Sequence, residues 1–294
     1  LRKAFEYNDR ALEIKKEIGD RSGELKCYAN LGITYSSLGD FKKAVEYYKK
    51  ALKIAKEIGD LDSERIGTYH LALIYGDNIN KPELAYDYCR KSLELSEKIT
   101  GRLIEEEHKI GFSSRISNAY QYMVPLCLKL KKGNESFEFM ERGKSRVFLD
   151  LLAATEIKPS VKVTPKLRSL LDEEEDYLIK LREIQTRHLR QKKITIELGE
   201  IDKILEKLGV VYKEIEVFDP EYVFIRRGKP LSFTEIQGVL TSQKKDTVLV
   251  EYFTIKDKVF IFIVSSKDKK LQVETVLISQ ERLTLYIENY WSSV

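Results

Sequence analysis

The chain has little proline, glycine and cysteine, and these shortages exclude several classes of protein. Only 6 prolines and 15 glycines occur among 294 residues, so the composition fits neither a collagen-like nor a low-complexity chain. Its three cysteines, Cys27, Cys89 and Cys127, lack the short paired spacing of a disulfide framework or a zinc knuckle. They favour a reducing compartment, and we expect the protein to be cytoplasmic.

Long apolar runs and blocks of like charge are also absent. No run approaches about 18 uninterrupted apolar residues, so the sequence predicts no membrane-spanning helix. The 51 basic and 47 acidic residues are mixed along the chain, which indicates a solvated surface rather than a nucleic-acid interface. Lys, Glu and Leu are abundant instead, which favours a mainly α fold built from amphipathic helices.

The first half of the chain repeats itself. ALEIKKEIGD at 11–20 returns as ALKIAKEIGD at 51–60, a period of 40 residues, and SLELSEKITG at 92–101 is a looser copy. A fixed period in helix-forming sequence indicates stacked helix pairs. One copy has an extra residue in its GDNINKP turn, where Pro82 is placed to begin the second helix.

Small and large residues alternate at helical spacing within each period. The best copy carries Tyr28, Leu31, Gly32 and Tyr35 before a Gly39-Asp40 turn, then Ala44, Tyr48 and Ala51. Small residues let two antiparallel helices approach closely, and large ones fill the space towards the next pair. The pattern resembles the tetratricopeptide repeat in a long-helix variant. It implies an α-solenoid over residues 1–153, with about three to four repeats of which the first is incomplete.

We expect a peptide or protein partner to bind on the first helices of these pairs. Such helices line the concave surface of a stacked array. In the repeat family, the residue before the Leu-Gly pair often hydrogen-bonds the backbone of a bound peptide, and its equivalents here are Asn30 and His70. Lys26 and Tyr69 should lie on the same face. The alternative is a solvated groove of ordinary polar residues, because only two copies are well formed.

The thiols and imidazoles are not spaced for catalysis or metal binding. Cys89 and Cys127 occupy positions where repeats pack, which predicts small buried residues. His70, His108 and His188 are scattered over predicted helices without a paired cysteine or carboxylate close in sequence. We therefore assign no catalytic residue, metal ligand or cofactor-binding residue within the chain.

Gly143-Lys144-Ser145, within ERGKSRVFLDLLA at 141–153, carries the closing letters of a phosphate-binding loop. That loop needs an earlier glycine so that backbone N–H groups can surround phosphate, but Glu138 occupies its position. The segment has the pattern of a helix interior, which argues against nucleotide binding. We expect Arg142, Lys144 and Arg146 to solvate one face of this helix.

From Pro165 the pattern changes to two long charged helices with a weak break near 192–195, which predicts a helical hairpin linker over residues 154–218. Asp219-Pro220 ends this pattern, and Ser232 with Glu235 forms a capping box for a short helix. Strands are then predicted at 247–255, 258–266 and 271–279, joined by Lys-Asp turns and followed by a helix in ERLTLYIENYW.

Two features suggest an excerpt of a longer protein. The chain enters its first repeat midway, and the apolar run VFIFIV predicts a strand covered on both faces, for which too little sequence remains. We therefore expect further strands and helices after Val294.

The order of these motifs resembles the CHAT family, in which tetratricopeptide repeats precede a caspase-like cysteine-peptidase domain. ERGKSRVFLDLLA resembles the family's junction motif, DPEYVFIRRGKPLSFTEIQGVL its Pro-Glu-Tyr and Gly-x-Pro-Leu segments, and DTVLVEYFTIKDKVFIFIV its first β-hairpin. The resemblance implies that residues 219–294 begin an α/β caspase-like domain, incomplete within this chain.

A family member of this kind would be a partner-regulated cysteine endopeptidase whose repeats act as the sensor. The family's catalytic His and Cys lie in a His-Gly motif and an Ala-Cys-Glu-like segment, and neither occurs here, so enzymatic activity stays open. The alternative is a non-catalytic scaffold or adaptor with a pseudo-peptidase docking module. Both hypotheses predict a protein partner, and neither predicts a nucleic-acid or membrane partner.

Overall fold

A computed structural model describes residues 2–101, 106–152, 157–191, 198–227, 231–243, 245–268 and 270–293. Within these ranges the chain is mostly helical, as the sequence predicts. The helices are α1 Arg2–Glu17, α2 Arg21–Ser37, α3 Phe41–Ile58, α4 Leu61–Leu73, α5 Pro82–Gly101, α6 Glu106–Lys129, α7 Gly133–Leu152, α8 Pro165–Gln191, α9 Leu198–Phe218, α10 Pro220–Arg227, α11 Phe233–Thr241 and α12 Gln280–Ser293. The strands are β1 Val248–Ile255, β2 Lys258–Ser265 and β3 Gln272–Leu277.

A Gly-Asp pair separates each of the first three helices from the next. The glycines have φ values of 68°, 79° and 70° in the order Gly19, Gly39 and Gly59. Glycine adopts this left-handed conformation at a helix end without strain. The aspartate that follows each glycine caps the next helix by accepting a hydrogen bond from the backbone N–H three residues later. Each turn of the array is therefore specified locally.

We expect Asp60→Ala to lower the free energy of unfolding by about 1 kcal/mol, because Asp60 accepts hydrogen bonds from both the backbone N–H and the hydroxyl of Ser63. Asp60→Asn keeps an acceptor at this position and should change stability by only a few tenths of that amount. Urea denaturation followed by circular dichroism measures both variants. Equal losses in the two would contradict a capping role.

Small residues lie where the helices approach most closely. A Cβ atom at Gly32 of α2 would lie 3.0 Å from ring atoms of Tyr48 on α3, so only glycine fits there without displacing the ring. Several further residues of the repeat pattern are completely buried, namely Leu31, Ala44, Leu71, Ala72, Ala85 and Cys89. The stacked helix pairs that the 40-residue period predicts are thus present in this part of the chain.

The extra residue in the turn between α4 and α5 is accommodated by a wider helical turn at the end of α4. Ile74–Asn78 forms a π-helical turn, in which the N–H of Ile79 donates to the carbonyl of Ile74 at 3.0 Å. The N–H of Lys81 donates to the backbone carbonyl of Tyr75 at 2.7 Å. A single-turn π segment of this kind absorbs an inserted residue without breaking the helix. Pro82 then begins α5, as predicted.

Helices α6 and α7 form the degenerate last pair. The side chains that the repeat pattern places inside are fully buried, namely Met123, Val124, Cys127, Phe137 and Met140. The Ser136 hydroxyl donates to the carbonyl of Val124 at 2.9 Å across the pair. Gly143 lies inside α7, so the helix predicted for the ERGKS segment is confirmed.

Helices α8 and α9 pack as the predicted antiparallel hairpin. The start of α8 meets the end of α9 in a cluster that includes Leu167, Leu170, Val211 and Ile215. The second half of α8 meets the start of α9 in another, with Leu181, Ile184, Ile201 and Leu208. The predicted break at 192–195 lies outside the described residues.

Helix α10 was not predicted from the sequence, in which the helical pattern ends at Asp219-Pro220. Asp219 is fully buried and accepts a hydrogen bond from the N–H of Tyr222 at 2.9 Å. It also accepts hydrogen bonds from the backbone N–H and the hydroxyl of Ser160, at 2.7 and 2.8 Å. Asp219 thus caps a new helix, with Pro220 as the first helical residue, where proline is favoured.

The contacts of the chain divide it into two compact units, one containing Leu1–Ala119 and Arg146–Gly228, the other Tyr120–Ser145 and Lys229–Val294. In the second unit, antiparallel strands lie in the order β1-β2-β3, and Lys256 adopts a φ of 48° in the turn between the first two. The predicted strands and the Ser232–Glu235 capping box are confirmed. This small sheet does not by itself identify a caspase-like domain. The domain boundaries after residues 153 and 218 stay predictions.

The described residues cover the two faces of strand β2 unequally. Phe260, Phe262 and Val264 are buried, whereas Ile261 and Ile263 on the other face are only partly buried. Residues that alternate along a strand point to opposite faces. Among the described residues, therefore, one face of the sheet is packed and the other is partly exposed.

Candidate partner-binding surface

Lys26 and Asn30 lie one helical turn apart on α2, and both are exposed. The Asn30 amide donates a hydrogen bond of 3.4 Å to the side-chain oxygen of Asn8 on α1. This distance is long for an N–H···O bond. Residues four apart on a helix share a face, so an ammonium group and an amide are presented to solvent together.

Tyr69 and His70 lie on α4 and are half-buried. The Tyr69 hydroxyl donates to the carbonyl of Asn118 at 3.2 Å, and burial raises the pKa of this phenol to about 12. The His70 ring stacks on Tyr48, with centroids 5.1 Å apart and an interplanar angle of 11°. Burial lowers the pKa of His70, so the imidazole is neutral at pH 7 and has one donor and one acceptor nitrogen.

The four predicted residues therefore form two pairs. The rings of Tyr69 and His70 are 6.5 Å apart, while helix periodicity brings Lys26 and Asn30 together. Among the described residues, no hydrogen bond, ion pair or ring contact joins one pair to the other. Their helices are connected through Tyr48, whose ring approaches Gly32 on α2 and stacks on His70 of α4. Together the pairs supply neutral hydrogen-bonding groups and one cation, which suits the backbone of a peptide rather than a reacting bond.

The cysteines are packing residues. All three are free thiols and buried, and Cys89 and Cys127 are completely inaccessible. Burial raises the pKa of Cys127 to about 12, which removes the thiolate character that a nucleophile needs. The buried positions predicted for Cys89 and Cys127 are thus confirmed.

The other reactive groups add no site within the part of the chain that is described. The side chains of His108 and His188 lie outside it. Across the described side chains, no cluster of histidine, cysteine, aspartate and glutamate has the arrangement of a metal site. None of the described helices is both long and apolar enough to cross a membrane.

Lys144 of the ERGKS segment differs from the expectation that it faces solvent. Its side chain is about one-third exposed, and its ammonium group pairs with Glu251 of β1. Glu141 lies one turn earlier on α7, with its carboxylate 3.7 Å from the same ammonium group. Burial raises the pKa of Glu141, and Lys144 opposes this shift. Lys144 is therefore an internal ion-pair partner within the second unit, which helix periodicity alone could not show.

A groove between α3 and α5 was not predicted from the sequence. Its cavity of about 560 Å³ is lined by Lys49, Leu52, Lys53, Lys56, Thr68, Leu84, Asp87, Tyr88 and Lys91. A signal was present, because Lys49, Lys53 and Lys56 follow one another at spacings of four and three on a single helix face. This local excess of positive charge is not apparent from the composition, because basic and acidic residues are nearly balanced over the whole chain.

Comparison with known proteins supports the repeat assignment. Residues 1–57 match the family described as tetratricopeptide repeat, which covers α1, α2 and nearly all of α3. No curated protein matches the chain. Helices α4 and α5 continue beyond the matched residues with the same type of cap and the same buried small residues. Residues 1–57 are therefore similar to tetratricopeptide repeats, a class of helical array whose usual role is to bind other proteins.

Proposed function

We propose that the repeat array holds an extended segment of a partner protein along α2 and α4. The observation that carries this proposal is the exposed Asn30 amide, at the position directly before Leu31 and Gly32 on a tetratricopeptide-repeat helix. Its hydrogen bond to Asn8 is long, so the exchange of this bond for one to a peptide carbonyl loses little. The neutral imidazole of His70 occupies the equivalent position on α4.

The surface around Asn30 and His70 is held rigidly. Tyr48 is buried between α2 and α4 and contacts both helices, and Tyr69 is fixed by its hydrogen bond to Asn118. Groups that are fixed before binding lose little conformational entropy when a ligand arrives. Lys26 adds a cation on the exposed face of α2, where an acidic side chain or a carboxylate of the segment would be neutralised.

We expect Asn30→Ala with His70→Ala to weaken partner binding about tenfold or more, because two hydrogen bonds of about 0.5–1.5 kcal/mol each are removed. Partners captured on the immobilised chain would be identified by mass spectrometry, and the affinity of each would then be measured for both proteins. Lys42→Ala with Glu46→Ala, at exposed positions on α3, is the matched control. Unchanged affinity in the double variant would exclude this surface.

We further propose that the whole protein is a CHAT-type cysteine endopeptidase regulated by this partner. The supporting observations are a degenerate repeat pair that ends in ERGKSRVFLDLLA, a helical hairpin, a capped short helix and an antiparallel β-hairpin, in the order of that family. Cysteine-peptidase chemistry needs a thiolate, a neighbouring base and oxyanion donors. All three cysteines are buried and unsuited to this role, so the proposal requires catalytic groups other than these.

The alternative is a scaffold without catalysis. A peptidase requires a His-Gly motif followed by a cysteine at a strand end in the downstream sequence. Substitution of that cysteine by alanine should abolish partner-dependent cleavage while partner capture is retained. If both motifs are absent, the hypothesis of a non-catalytic scaffold remains. The proposed role of Asn30 and His70 in binding would be unaffected.

A further inference from the structure

The groove between α3 and α5 is distinct from the proposed surface on α2 and α4. It lies between the second helices of two adjacent repeat pairs, with Thr68 of α4 at its base. Thr68 is buried, and its hydroxyl donates to carbonyls within its own helix. The hydroxyl of Thr68 therefore needs no hydrogen bond from a ligand. The residues on the walls of the groove determine which ligands it can bind.

The walls are strongly basic. The residues that line the groove include four lysines, Lys49, Lys53, Lys56 and Lys91, and a single acidic residue, Asp87. Lys56 is 3.9 Å from Glu64 and Lys91 is 3.7 Å from Glu94, distances longer than a direct hydrogen bond. No ion pair to Lys49 or Lys53 is found in the described part of the chain. Lysines at such spacings on one helix repel each other, so a bound anion relieves this repulsion.

The groove also offers apolar surface. Leu84 is 38% exposed, and Leu52 is buried at the opposite wall. Tyr88 stacks on Tyr75, with centroids 5.4 Å apart and an interplanar angle of 8°, which fixes its ring in place. An occupant of this groove therefore gains from apolar contact as well as from charge.

We infer that the α3–α5 groove binds an acidic segment of a partner protein that carries an aliphatic side chain among its aspartates and glutamates. The carboxylates meet the lysines, and the aliphatic side chain covers Leu84. A cavity of about 560 Å³ accommodates a few side chains. The apolar wall and the near balance of charge over the chain, with a net charge of +4, favour a peptide over a nucleic acid, which requires an extended basic surface.

The test uses the chain with its repeat array intact and a fluorescein-labelled peptide of glutamates with interspersed leucines in a Gly-Ser background. Lys49→Glu with Lys53→Glu should weaken binding about tenfold, because each reversal replaces an attraction to the acidic peptide by a repulsion. Lys42→Glu with Lys207→Glu changes the net charge equally at exposed sites outside the groove and should leave affinity unchanged. Fluorescence anisotropy measures binding, and circular dichroism verifies that each variant is folded.

Two further comparisons separate the occupants. A peptide with Ser in place of Leu, and the variant Leu84→Ser, should each bind about threefold to tenfold more weakly, because apolar burial is lost. Higher salt should weaken all binding. Equal losses in the Lys42/Lys207 control would overturn the groove assignment. Equal affinity for the Leu and Ser peptides, with stronger binding of an oligothymidylate, would indicate that the groove binds a nucleic-acid strand and not a peptide.

Discussion

Substitution of Phe137 by alanine should lower the free energy of unfolding of the second compact unit by about 3–5 kcal/mol. Phe137 of α7 is completely buried. Its ring meets Phe233 of α11 and Phe262 of β2 edge-on, with centroids 6.0 and 5.9 Å apart. Such aromatic pairs contribute about 0.5–1.5 kcal/mol each beyond the buried area. Truncation removes both contacts and leaves a cavity between a helix and the packed face of the sheet.

Hydrogen exchange of the β2 amides measures this loss directly, because it reports the opening of the second unit alone. Tyr252→Ala is the control, since Tyr252 lies on the neighbouring strand and is 60% exposed. We expect that variant to change protection by less than about 1 kcal/mol. If Phe137→Ala and Tyr252→Ala had equal effects, Phe137 would not hold α7 to the sheet.

The elements that could be predicted from the sequence are those with local signals. Gly39 followed by Asp40 ends one helix and caps the next, and both groups act within four residues of themselves. The capping box at Ser232 is equally local. A 40-residue period then identifies the stacked pairs without any knowledge of their contacts.

Other features depend on contacts between distant segments. The sequence shows the extra residue before Pro82. It does not show that a π-helical turn accommodates this residue, because a loop of the same length could also do so. Lys144 pairs with Glu251, 107 residues away. Helix α10 is a different case, since Asp219, Pro220 and Glu221 form a helix start that the sequence analysis read only as a helix end.

The candidate surface shows the same division. The position of Asn30 before Leu31 and Gly32 predicts its place on the first helix, and its exposure agrees with a binding role. The same rule locates His70. The stacking of its ring on Tyr48 could not be predicted in this way, because Tyr48 lies on a different helix, α3. Sequence position therefore indicates which residues share a surface, while tertiary packing decides how far each side chain is free to meet a ligand.

Glu174→Ala should destabilise the helical hairpin by about 3–5 kcal/mol, because it removes the centre of a buried polar network. The Glu174 carboxylate is 2% exposed and accepts hydrogen bonds from the hydroxyls of Tyr212, at 3.1 Å, and Tyr222, at 2.6 Å. The guanidinium group of Arg226 lies 3.2 Å from the same carboxylate. Three helices, α8, α9 and α10, therefore meet at one side chain, and its loss leaves a cation and two hydroxyls without their acceptor.

A set of variants separates the network from simple burial. Glu174→Gln keeps an acceptor and similar volume but loses the charge, so its effect should lie between those of Glu174→Ala and the wild type. Glu175→Ala removes an exposed neighbour, paired with Arg182 at 3.4 Å, and should change stability by less than about 1 kcal/mol. Hydrogen exchange of α8 and α9 amides measures each variant. Because Arg226→Ala removes the unpaired cation, Glu174→Ala with Arg226→Ala should be less destabilised than the sum of the single variants. Strict additivity would show that the ion pair does not couple these helices.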